Sequence, residues 1–176
     1  VKSKQEIQYI EEAAKLTNKV MSDIHKKLSK LPTEKEIATV VMNELLSMGS
    51  EHPGGLNPII GIGKRSAFGH PTWENYQAKE QDVIFLEFSG CVYRYFSPIM
   101  RTLSVGEPTD LAKRFEEGSR YAVNKVIENT YPGMTAEDVD RICKEAIKEA
   151  GLEEYSHVRT GYSVGIGFTS WRDGIS

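Results

Sequence analysis

This 176-residue sequence predicts an α+β domain made of two related halves. Three observations predict it. Apolar residues recur at helical spacing in four segments, a cap-and-stop pattern returns after 102 positions, and strand-like sequence follows each helix pair.

Residues 4 to 30 carry Ile7, Ile10, Ala14, Leu16, Val20, Ile24 and Leu28 at the spacing of one long amphipathic helix. Leu31-Pro32-Thr33 breaks it. Thr33 and Glu36 then read as a capping-box pair, the hydroxyl serving one orphan amide and the carboxylate another. The second helix turns Ile37, Val40, Val41, Leu45 and Leu46 inward and stops at Gly49, a left-handed C′ residue. Strand-like sequence follows at Pro58 to Gly63 and Val83 to Thr102. A third helix is expected over about residues 109 to 130. After it, Gly133-Met134-Thr135 and the pair Thr135/Asp138 repeat the earlier cap. Val139, Ile142, Cys143 and Ile147 fall opposite Ile37, Val40, Val41 and Leu45, and Gly151 falls opposite Gly49. Tyr162 to Phe168 is strand-like again. Shared cap, apolar phase and stop together indicate a duplicated unit, with a first half of about 1–104, a second of about 105–176 and a shared antiparallel sheet.

Composition bounds the function. Charged residues make up 27% and the net charge is −3, which argues against nucleic acid as a partner. The apolar run Val83 to Leu86 is far short of the roughly 20 residues of a membrane span. Cys91 and Cys143 lack metal-type or redox-type spacing and read as reduced, partly buried thiols of a cytoplasmic protein. The chain opens on Val1 and stops at Ser176, which reads as a fragment or processed piece.

Two residues draw attention as chemistry. Glu87 interrupts the apolar run Val-Ile-Phe-Leu-Glu-Phe-Ser-Gly, where an ionised carboxylate costs several kcal/mol unless compensated. A salt bridge to a buried Arg94 or Arg101 would account for it, and so would a cationic substrate group. His70 lies in Phe-Gly-His-Pro, a loop-like context, seventeen residues before Glu87. His25, His52 and His157 do not cluster and read as bland.

The stretch from Gly69 to Thr102, a loop histidine followed by a buried strand and a second strand ending in Arg-Thr, resembles the creatinase, aminopeptidase P and methionine aminopeptidase superfamily. That resemblance implies the pita-bread fold, itself a pseudo-symmetric duplication, with the C-terminal strands that carry two Glu metal ligands lying beyond Ser176. In metal-binding members an Asp stands where Glu87 is, and a second Asp where Pro98 is, eleven positions on. Their Gly-His-x-x-Gly corresponds to Gly161-Tyr162-Ser163-Val164-Gly165, and a further histidine to Thr169. Proline has no side-chain donor, and a neutral phenol is a poor ligand for such metals.

Arg94-Tyr95 with Ser97-Pro98 and Arg101-Thr102, together with Arg159-Thr160-Gly161-Tyr162-Ser163-Val164-Gly165, resemble the metal-free branch that includes ectoine hydrolase. The resemblance implies cleavage of a C–N bond in a small amidinium-type substrate without a cofactor. His70 would be the acid/base and Glu87 the partner of the amidinium, with Tyr162, Pro98, Arg94 and Arg159 around the substrate and a homodimer as the full-length assembly. Two other readings stand beside it: an Xaa-Pro dipeptidase or aminopeptidase using a divalent metal such as Mn or Co, and a non-catalytic binding module.

Overall fold

The computed structural model describes residues 2–51, 58–157 and 159–167, and the backbone of 174–175. Two compact units divide the chain: residues up to 108 with the segment that begins at 164, and residues 109–163 with the strand at 174–175.

In the first unit, helix α1 (Lys4–Asp23) opens on a full capping box between Ser3 and Glu6. It ends earlier than the apolar spacing predicts, because the chain tightens into a 3-10 turn at Ile24–Lys26. Asp23 at that end opposes the helix dipole, and Lys19 and Lys26, each 2.6 Å away, offset the charge. Their hydrogen bonds hold its carboxyl at about 2, below the usual range. The turn carries Ile24 into the core and leaves His25 exposed.

Helix α2 (Glu34–Ser47) is capped by Thr33, whose hydroxyl accepts from the Glu36 amide. The reciprocal half of the expected box is absent: the Glu36 carboxylate accepts instead from the Ser29 amide and hydroxyl, at 2.7 and 3.0 Å. Gly49 ends α2 at φ +90°. Strands β1 (Ile59–Ile62), β2 (Val83–Val92) and β3 (Tyr95–Ser104) form an antiparallel sheet in that order. Ile60, Ile62, Ile84, Leu86 and Phe88 from one sheet face join Val20, Ile24, Ile37, Val41 and Leu45 in a continuous core. Each such side chain contributes about 1.5–3 kcal/mol on full burial.

Helix α1 crosses that face at Gly90. The Thr17 hydroxyl accepts from the Gly90 amide and lies 2.8 Å from the Ser97 carbonyl, stitching the helix to both strands of the hairpin. The hairpin turns at Tyr93-Arg94, both residues at positive φ (48° and 65°), which matches the twist of the strands. Glu51 braces the turn, accepting from the Tyr93 amide at 2.8 Å, and Tyr9 stacks on Tyr93 with ring centres 4.5 Å apart.

In the second unit, helices α3 (Asp110–Asn129) and α4 (Ala136–Glu149) pack together where Gly118 admits Leu152. Strand β4 (Gly161–Tyr162) pairs with β5 (Gly174–Ile175). The local repeat is plain: α2 and α4 have the same length, both begin one residue after a capping threonine, and Gly151 (φ +67°) ends α4 as Gly49 ends α2. Thr135 and Asp138 complete the box that Thr33 and Glu36 leave half made. Among the described residues the second half reaches the first sheet at the Tyr95–Ile166 bridge and the Phe96–Gly165 hydrogen bond. The expected strand at 162–168 shrinks to two residues before Gly165 and Ile166 leave β4 to bond beside Tyr95, and Phe168 lies outside the described residues.

A methyl group added at Gly90 would lie 2.8 Å from both the Ala13 carbonyl oxygen and the Leu16 Cβ, whereas one at Gly69 would meet nothing within 4 Å. Gly90→Ala is therefore expected to cost about 1–3 kcal/mol in chemical denaturation, against less than about 0.5 kcal/mol for Gly69→Ala.

Candidate functional site

Cross-strand partners in an antiparallel sheet project to the same face. Glu87 pairs with Ile59 on one side and Met100 on the other, while Ser89 pairs with Pro98. Glu87 and Pro98 therefore share one face, two residues apart along the hairpin, and it is the face turned away from the apolar core. Glu87 is only 5% exposed. Neither of the two arginines considered from the sequence, Arg94 or Arg101, is placed to pair with it. Arg101 pairs with Leu86, so it leaves the sheet on the opposite face, is exposed and donates to the Met100 carbonyl. Arg94 sits at the hairpin turn, 66% exposed and 3.8 Å from Glu51. The structure does not bring Arg94 to Glu87, because Glu87 lies in the middle of β2 and Arg94 sits beyond its end, in the hairpin turn.

His70 is exposed and lies in the loop between β1 and β2. That loop turns back over the Glu87 face at Gly61, the partner of Phe85. A Cβ there would stand 2.7 Å from the Arg65 carbonyl and 3.0 Å from the Pro71 ring. His70 thus rides on a loop folded against the same sheet face as Glu87 and Pro98.

The loop is anchored by a carboxylate that the sequence reading passed over. Glu34, at the first position of α2, is fully buried. It accepts from the Ile62 amide at 3.0 Å, the Glu74 amide at 2.7 Å and Arg65 Nε at 2.9 Å. Arg65 extends the clamp to the Thr72 carbonyl at 2.6 Å and to Glu74 at 3.0 Å. An acid at helix position N1 looks like ordinary dipole compensation, and that disguised it. The one available cue was a Glu-first helix followed by a lone Arg just after a strand.

Tyr162 and Arg159 belong to the second unit. Tyr162 is half-buried in β4 and Arg159 is exposed on the segment before it. That segment is held to α4 by Asp140, 5% exposed, which accepts from the Thr160 hydroxyl at 2.6 Å and pairs with Lys144. The Lys144 ammonium and then the Thr160 hydroxyl keep the Asp140 carboxyl below its ordinary value. His157 is exposed, while His52 and Thr169 lie outside the described residues. Both cysteines are free, and burial pushes the Cys91 thiol up, away from reactivity.

The sequence profile described as metallopeptidase family M24 matches residues 8–174. The chain belongs to this family. It is 30% identical over 171 residues to the Xaa-Pro dipeptidase of Pyrococcus furiosus, covering 97% of this chain and 49% of that protein. The solved prolidase from Pyrococcus furiosus superposes with a TM-score of 0.92 at 30% identity, covering 100% of this chain and 52% of that one. The X-Pro aminopeptidase from Thermotoga maritima MSB8 matches with a TM-score of 0.92 at 26% identity, covering 100% and 49%. The chain thus takes the pita-bread fold of these M24 proteins and spans about half the length of the relatives it matches.

These findings correct one expectation and favour the alternative to another. The relatives named above are Xaa-Pro peptidases, which supports the peptidase reading over an ectoine-hydrolase-like one. The expectation of cofactor-free chemistry is overturned, since the matching family is one of metallopeptidases. Pro98 and Tyr162 had suggested otherwise, but two positions are a weak guide to the chemistry of a family. Among the described residues, no group of three or more His, Cys, Asp or Glu could hold a metal ion. Glu87 supplies a carboxylate and Pro98 no donor, so the described part of this M24 chain does not by itself make a metal centre. Among those same residues, no helix is long and apolar enough to cross a membrane.

Asp140 yields a pH prediction. A carboxyl whose pKa is depressed on folding adds stability that is present above its unfolded value and fades as pH falls through the folded one. Asp140→Asn is expected to cost about 1.5–3 kcal/mol at pH 7. In denaturant titrations that deficit should shrink steadily as the pH is taken below 3.8, the ordinary value of the group.

Proposed function

We propose that the full-length protein is a peptidase cleaving the peptide bond of Xaa-Pro substrates. The observation that carries this reading is the match, along nearly the whole chain, to proteins named Xaa-Pro dipeptidase and X-Pro aminopeptidase. The local geometry is compatible with it. A carboxyl group on a buried strand and a histidine on a loop folded against the same sheet face suit a small polar substrate: Glu87 lies where water is excluded, and His70 is exposed to solvent.

The chemistry asks two things of these residues. Hydrolysis of an Xaa-Pro bond joins the hydroxyl of a water to the acyl carbon as the C–N bond breaks, and the departing proline nitrogen takes up a proton. His70 would deliver that proton to the proline nitrogen. Glu87 would pair with a cationic group through charge-assisted hydrogen bonds, strengthened by burial. Pro98, which shares the sheet face of Glu87, is proposed as a substrate-side residue on the same reasoning. Arg94, at the far end of its hairpin, is not.

The test is a turnover screen of the full-length protein with Ala-Pro and other Xaa-Pro dipeptides, ectoine, hydroxyectoine and creatine, each with and without chelator. Dipeptide cleavage that falls on chelation is expected. Turnover of ectoine or creatine with the dipeptides untouched would overturn the peptidase reading, and a blank screen would favour a binding module.

Two variants sharpen the roles. His70→Ala should lower kcat by about 10²- to 10⁴-fold with little loss of thermal stability. Glu87→Gln should chiefly weaken substrate binding, by about 2–5 kcal/mol, measured as a rise in KM or in the Kd of a competitive inhibitor.

A further inference from the structure

We infer that Glu34 and Arg65 are positioning residues that set the place of His70. This rests on the reading of His70 as a proton donor and extends it to residues outside the substrate's reach.

The clamp is more elaborate than anchoring a helix requires. A carboxylate at the first turn of a helix is served by the helix's own amides at the surface. Glu34 is instead fully buried, at a desolvation cost that apolar residues of the same volume would avoid. Its ligands come from three places on the chain: the last residue of β1 (Ile62), the 3-10 turn after it (Arg65) and the returning strand-like segment (Glu74). Arg65 then uses its remaining nitrogens on Thr72 and Glu74. The planar fork of arginine reaches all of these at fixed angles, which a lysine ammonium cannot do.

Everything held by the clamp borders one arc of chain. His70 lies five residues after Arg65 and two before Thr72, so one foot of its arc carries the guanidinium to which the other is hydrogen-bonded. The Glu34 amide donates to the Tyr76 carbonyl at 3.1 Å, and the Ala78 amide donates to the Pro32 carbonyl at 2.9 Å, tying down the return path as well. His70 itself is exposed, so its position relative to the sheet is inherited from these feet. A shift of about 1 Å at a catalytic group can cost about 10²-fold in rate. Loosening the clamp therefore costs turnover through His70, without any contact between Glu34 or Arg65 and substrate.

A double-mutant cycle on the full-length protein tests this, with Ala-Pro as the probe and thermal unfolding measured alongside. Arg65→Lys keeps the charge opposite Glu34 but loses the fork, and it carries the test if Glu34→Gln does not fold. Arg65→Lys should lower kcat about 10- to 100-fold with KM changed less than about threefold. In a His70→Ala background the same substitution should bring no further loss of kcat, although it still lowers the unfolding temperature. Equal losses of kcat with and without His70, or an unchanged kcat at a lowered unfolding temperature, would overturn the positioning role while leaving His70 as the proton donor. If His70→Ala alone turns over like the parent, both the reading of His70 and this inference fall.

Discussion

Glu34 places a negative charge in a part of the first unit that water does not reach, and the surrounding backbone is arranged to answer it. An isolated carboxylate there would not survive ionised. Two amides and one guanidinium make it tolerable, and in doing so they bring together the entry of α2, the end of β1 and the far side of a long loop. Because the Ile62 amide is satisfied by a side chain, the end of β1 is closed to further strand pairing at that point. The interaction that fixes the loop also finishes the edge of the sheet.

The two helix pairs show how one local code can serve different surroundings. Thr33 and Thr135 both start a helix of equal length that ends before a left-handed glycine. In the first unit the helix carries its charge inward as Glu34, to a loop on the sheet. In the second, Asp140 lies one turn further along and holds the segment that leads to Tyr162. Each unit thus uses a buried acid on its second helix to tether the segment bearing its candidate site residue. The two acids are not at equivalent positions: 102 residues before Asp140 stands Ala38. The tethers are separate solutions, not copies of one.

Helices were legible because their signals are local. Caps, apolar spacing and stop glycines placed α2, α3 and α4 to within a residue or two. The early end of α1 was not, since nothing in its apolar spacing marks Asp23 as the last residue. The β2–β3 hairpin was visible as strand-like sequence but its turn was hidden, because Tyr93-Arg94 has none of the usual Asn-Gly chemistry. Glu87 stood out as a charge in an apolar run, and Pro98, two residues along on the same sheet face, came from a family pattern. Glu34 and Asp140 were missed for one physical reason. Each looks like an ordinary helix-surface acid until residues 20 to 40 positions away fold onto it.

The Tyr93-Arg94 turn bears on how this surface can change. Exposed hairpin tips are normally where a chain accepts substitutions most freely. Here two consecutive residues with β-carbons hold left-handed dihedrals, at a cost of about 1–2 kcal/mol apiece. Valine or isoleucine would raise that cost, while asparagine or glycine would relieve it but give up the Tyr9 stack and the charge facing Glu51. The tip is therefore conformationally narrow despite being bathed in solvent. Anyone attaching a label or epitope to this protein would do better to avoid the place a surface map would first suggest.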